Sequence, residues 1–166
     1  MPSLIAPLLA GLALAGFTGL LLAAAWGDAA RYLIPNRLSL AILGVYPFFV
    51  AAAHFSAGSY PNVNWLGGLI VGMAVLAAGI LLFARGWVGG GDVKLLASAS
   101  VWAGPALVFD LLVTMALSGG VLAVLVMLRG RNDAGRALPY GIAIAAGGVY
   151  VALRLAGATV ARPLLG

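Results

Sequence analysis

The chain of 166 residues is 64% hydrophobic and 8% charged, with a formal net charge of +5 and a mean hydropathy of +1.14. That is too little polar surface for a water-soluble domain of this size, so the chain reads as an integral membrane protein. It has no cysteine, which excludes disulfides, thiolate catalysis and cysteine-ligated zinc, and a single His with no Glu leaves little from which to build a metal site, so neither metal nor cofactor is expected.

Apolar segments follow one another at 4–26, 38–55, 65–84, 93–103, 106–128 and 138–156. The first has no Lys or Arg ahead of it and is longer than the core of a cleaved leader, so it reads as a span. The fourth, about a dozen residues, is too short to cross the hydrocarbon layer unless the bilayer thins there, and a re-entrant course stays open. Glycines 89–91 precede it and Gly104-Pro105 ends it. No segment shows the alternation of a membrane β-barrel. The expected fold is all-α: one polytopic membrane domain over residues 1–166 with about six transmembrane helices, the fourth short, and no separate soluble domain. The 24 Gly and the many Ala permit close helix approach in lipid, where packing drives association.

Charge sets the expected orientation. If all six segments cross, Arg31, Arg37, Arg85, Lys94, Arg129, Arg131 and Arg136 share one side, and only Arg154 and Arg162 fall on the other. The richer side is cytoplasmic by the positive-inside rule, so the basic residues report topology and no nucleic-acid partner is expected. The uncharged 56–64 loop, the Gly104-Pro105 turn and both termini then face out, while Asp28, Asp92 and Asp133 face the cytoplasm. His54, Trp26, Trp65, Trp87 and Trp102 are expected at the membrane interfaces.

Four Asp are the only acids. Asp28 ends the first apolar segment, and Asp92 follows the glycine run at the start of the fourth. Two carboxylates that share one proton can hydrolyse a peptide bond, one acting as base on water and the other as acid, and glycines beside them let an extended substrate backbone approach. Each acid also has a simpler explanation. Asp92 could cap a helix beginning at Val93, worth about 0.5 to 2 kcal/mol over Ala, and Asp28 could pair with Arg31 at i+3, worth a few tenths of a kcal/mol.

Asp28 is followed by Ile34-Pro35-Asn36, then by Gly89-Gly90-Gly91-Asp92-Val93-Lys94, and then by the 138–147 stretch that opens Leu138-Pro139-Tyr140-Gly141. This combination resembles the type IV prepilin peptidases, and is most similar to the short members that serve tight-adherence (Flp-type) pili. The resemblance runs from about Asp28 to Gly147, with the motifs in family order. It implies a bacterial inner-membrane aspartic endopeptidase whose catalytic pair is Asp28 and Asp92. The substrate would be a prepilin or pseudopilin with a basic leader and an apolar helix, held in membrane lipid and cut at the cytoplasmic boundary. Supporting roles fall by the same resemblance to Gly89, Gly91, Lys94, Pro35, Asn36, Pro139, Tyr140 and Gly141. Lys94 could orient Asp92 or the substrate, or simply snorkel to the interface. Pro139-Tyr140-Gly141 could shape the sixth helix near the site, or be an ordinary helix start with Pro in its first turn. Longer family members carry a cysteine-ligated metal region and N-methylate the product; without Cys, cleavage alone is expected here.

A carrier or channel component is the competing class, with Asp28, Asp92 and Asp110 binding cations or relaying protons. It requires acids near the midplane, whereas Asp28 and Asp92 stand at segment ends. Asp110 lies inside an apolar segment, toward the outer face, level with Arg154, and a structural ion pair is expected there.

Overall fold

The computed structural model describes residues 2–55, 63–128 and 138–160, and every regular element among them is helical: α1 (Pro2–Arg31), α2 (Asn36–Phe55), α3 (Trp65–Ala84), α4 (Gly90–Leu128) and α5 (Tyr140–Val160). Each contains a stretch long and apolar enough to cross a membrane. Residues 56–62, Arg129, Arg131, Asp133, Arg136 and Arg162, which enter the charge argument above, lie outside the described residues.

The 39-residue α4 is two helices joined at Gly104, whose φ of 57° and ψ of −171° break the helical run just before Pro105. That backbone conformation suits only glycine, and Pro105 has no N–H to continue the ladder. The limbs, 90–103 and 105–128, run in opposite directions. Val93 packs at Gly79 and Val101 at Gly72 and Gly68, so the first limb is antiparallel to α3. Leu111 packs at Gly147, and Gly119 lies beside Ala143 and Tyr140, so the second limb is antiparallel to α5. Gly141 meets Asp28 and Gly148 meets Leu21, which sets α5 antiparallel to α1. Five continuous helices therefore make six legs, and the fourth is the short one: at 1.5 Å per residue it is about 21 Å long, against a hydrocarbon layer of roughly 30 Å.

Small residues make the helix contacts and large ones face outward. A Cβ at Gly68, Gly72 or Gly79 would collide with Val101 or Val93, so α3 lies directly on the first limb of α4. Phe48, Met73 and Leu117 point away from the bundle and are 72%, 70% and 68% exposed, as expected for a surface solvated by lipid.

At the centre is Trp102, only 3% exposed. It stacks on Phe17 with ring centroids 4.2 Å apart, meets Tyr46 edge-on and Phe49 at a tilt, and donates its indole N–H to the Ile42 carbonyl at 3.0 Å. This corrects the expectation that all four Trp lie at interfaces. Trp favours interfaces because its N–H wants a polar partner, and here a backbone carbonyl supplies that partner inside the bundle. Trp26, Trp65 and Trp87 are exposed.

Candidate active site

Asp28 stands in the last turn of α1, where the helix dipole disfavours a negative charge. The helix closes behind it through Tyr32, which takes a left-handed conformation (φ 53°) and donates its N–H to the Asp28 carbonyl at 2.8 Å. Pro35 restrains Ile34 to extended geometry and accepts the Leu38 N–H at 3.0 Å, so α2 begins promptly at Asn36. Asp28 is buried, 6% exposed as a residue, and its Oδ2 accepts the Gly141 N–H at 2.7 Å. Gly141 is in the first turn of α5, where backbone N–H groups have no partner within their own helix. An acid misplaced on α1 is thus held by the positive end of α5. A Cβ on Gly141 would fall 2.8 Å from both Cβ and Oδ2 of Asp28, so only glycine permits this approach. Asp28 makes no ion pair with Arg31 among the described residues, which sets aside the i+3 pairing.

The fourth leg begins at Gly90, three residues before the expected start, so Asp92 is in its first turn and is not its N-cap. Its carboxylate reaches back to take a backbone hydrogen bond from Gly89, half of a capping box. The early start reflects packing: Gly90 faces the Phe83 ring, and a Cβ on Gly91 would sit 3.1 Å from Ile34 Cβ. The glycine run therefore lets the α1–α2 turn rest directly on the start of α4. This brings Asp28 close enough for its charge to act on Asp92. Neither carboxylate has a cationic partner among the described residues.

Lys94 lies two residues beyond Asp92 and so points to another side of the helix. Its Nζ bonds Asn36 Oδ1 at 3.0 Å, tying α4 to the start of α2, and it does not orient Asp92 directly. Pro139 precedes α5 and accepts the Ile142 N–H at 3.2 Å, so it is not in the first turn; Tyr140 is the first helical residue, half exposed, with its ring beside Gly119. Ile34 is the contact that sequence reasoning missed. Its signal in the sequence is weak: a β-branched residue before Pro35, beside Leu33, which is exposed while Ile34 is buried. Among the described residues no three His, Cys, Asp or Glu side chains cluster.

Asp110 is not part of this group. It lies near the Gly104 turn at the opposite end of the bundle, 3.9 Å from Arg154 Nη1, and Arg154 also donates to the Tyr150 hydroxyl at 3.0 Å. The expected ion pair is present.

The sequence model of the type IV leader peptidase family matches residues 15–127, more than half of the chain. The chain belongs to that family. The match takes in Asp28, Pro35, Asn36 and the Gly89 to Lys94 run and ends before Pro139. A prepilin leader peptidase/N-methyltransferase of Bacillus subtilis (strain 168) is 33% identical over 139 residues, covering 82% of this chain and 53% of that protein. The chain thus spans about half the length of the curated relative it matches. No solved structure matches it.

Proposed function

We propose that this protein is a prepilin leader peptidase that hydrolyses the bond between leader and mature chain with Asp28 and Asp92. The observation that carries this reading is that two carboxylates from distant helices are near enough for the charge of Asp28 to act on Asp92, with Asp28 bound by the N–H of Gly141 at the start of α5. In the proposed mechanism the pair holds one proton between them, because two carboxylates brought together over one substrate bond cannot both stay ionised. The ionised carboxylate takes a proton from water as its oxygen attacks the scissile carbonyl carbon, and the protonated one delivers its proton to the carbonyl oxygen. Collapse of the resulting gem-diol expels the amine, which receives a proton from the pair. The 166 residues act as one transmembrane peptidase domain in a bacterial inner membrane, and cleavage alone is proposed.

The substrate is a type IV prepilin or pseudopilin, Flp-type by the motif resemblance, whose basic leader stays in the cytoplasm while its apolar helix lies in lipid. Gly89 lets the Asp92 carboxylate fold back over it and Gly91 lets Ile34 pack against the start of α4, while Asn36 and Lys94 hold the turn containing Pro35 against α4. Gly141, with Pro139 and Tyr140 around the start of α5, holds Asp28. The net excess of Arg and Lys at the Asp28 end supports a cytoplasmic site.

Co-expression with an Flp-type prepilin should give a faster-migrating product whose new N-terminus begins at the mature chain, and an unprocessed prepilin beside an inserted, abundant protein would refute the reading. Orientation is tested separately, because the native chain has no Cys. Single cysteines at exposed Ala29 and Arg85 should both be labelled from the cytoplasmic side. Labelling of the two from opposite sides would exclude a shared site.

A further inference from the structure

On the face of α4's first limb turned away from Asp92, α2 and α3 part to leave a cleft of about 400 Å³. Its polar groups are graded along its length. Asn36 and Lys94 stand at the end nearest the aspartates, Ser39 and Ser98 lie one helical turn further in, about 5 to 6 Å along the axis, and beyond them the lining is apolar, with Leu43 and Val101.

Two of these groups are incompletely satisfied. Lys94 is exposed, hydrogen-bonds only the neutral Asn36 and has no carboxylate partner among the described residues. Ser39 is 5% exposed, lines the cleft, and its hydroxyl has no hydrogen-bond partner among the described residues. The neighbouring Ser98 hydroxyl turns to the Lys94 carbonyl at 2.8 Å, with the Ser39 carbonyl at 3.2 Å, and is not a partner of the Ser39 hydroxyl. A buried hydroxyl without a partner is costly, and more so where lipid replaces water.

We propose that this cleft binds one anionic phospholipid, with the phosphate on Lys94, an ester carbonyl accepting the Ser39 hydroxyl, and one acyl chain along Leu43 and Val101. The order of cation, hydroxyl and apolar trough matches the order of phosphate, ester and chain in such a lipid. A peptide cut at Asp28 and Asp92 does not reach this cleft, because the first limb of α4 stands between them. The inference does not depend on the peptidase reading.

Native mass spectrometry of the full chain in detergent, with phosphatidylglycerol and phosphatidylcholine of matched chains, tests it. One phosphatidylglycerol should be retained per protein, about fivefold in preference to phosphatidylcholine, the factor expected for one lysine at a lipid surface. Lys94→Met should erase that preference while Lys94→Arg keeps it, and Ser39→Val should weaken retention of both lipids. Equal retention of the two lipids by the parent protein, or undiminished preference in Lys94→Met, would overturn the proposal. So would displacement of the lipid by inorganic phosphate alone. Should Lys94→Met fail to fold, the Ser39→Val comparison decides: unchanged lipid retention by that variant would refute the assignment.

Discussion

At one end of the bundle Asp28 lies close enough for its charge to act on Asp92, and the two are held by backbone N–H groups of Gly141 and Gly89; at the other, Asp110 lies 3.9 Å from Arg154, which Tyr150 steadies. The second arrangement explains itself, because a carboxylate in a membrane protein needs a cation and has one. The first does not. Two acids that repel each other, with no cation among the described residues to neutralise them, cost stability, and Gly89 and Gly141 leave their side-chain space to the two carboxylates. One end holds helices together by an ion pair, and the other keeps two unneutralised acids, which is where the proposed chemistry lies.

The sharpest way to break this comparison is to remove charge at each end in turn. Asp28→Asn and Asp92→Asn should each lower prepilin cleavage by roughly a thousandfold or more, within the range for general acid and base groups. The double variant should be little worse than either single one, because the pair acts as a unit. Both proteins should melt no lower than the parent, since a repulsion is relieved. Substantial residual cleavage by either, at normal abundance, would move the site elsewhere.

Between the two ends, Trp102→Ala tests what fixes their separation. Loss of a buried aromatic costs about 3 to 5 kcal/mol, and thermal unfolding in detergent should show it as a large fall in melting temperature. A small fall would mean that the aromatic cluster around Trp102 is peripheral to the fold.

Gly141→Ala sharpens the contrast further by changing no charge. The added methyl would overlap the Asp28 carboxylate, and a displacement of about 1 Å at a reacting group costs up to a hundredfold in rate. The loss should appear in kcat more than in KM, with stability reduced by about 1 to 3 kcal/mol. Unchanged kcat would show that Asp28 works without the α5 hydrogen bond.

The smallest effect belongs to Asp110→Asn. Its pair with Arg154 is partly exposed, with side chains 37% and 56% accessible, so the expected loss is about 0.2 to 1 kcal/mol, read as a small melting shift with cleavage intact. Complete loss of cleavage in a folded Asp110→Asn protein would erase the distinction between the two ends.

Much of the fold is legible because hydrophobic length is a local property. Residues 65–84 appear as a helix with the same bounds in sequence and structure, and the short fourth leg is marked by Gly104-Pro105. The roles of single side chains are less so. Asp92 looks like a cap for a helix starting at Val93, because glycines 89–91 are poor helix formers; the contacts of Gly90 with Phe83 and Gly91 with Ile34 reverse that propensity. Trp102 looks interfacial because its partner, the Ile42 carbonyl, lies 60 residues away in the chain.

By itself the sequence determined that this is a helical membrane protein, that its fourth leg is short, and that Asp28 and Asp92 are the acids worth testing. These follow from counts, lengths and motifs that need no knowledge of what touches what. Only the tertiary structure decided that α4 doubles back, that Asp28 at the unfavourable end of α1 is held by the start of α5, and that Lys94 answers to Asn36 while Asp92 answers to Gly89. Each of these depends on the meeting of segments remote in the chain, where the missing Cβ of a glycine or an unpaired N–H at a helix start matters only once a neighbour has arrived.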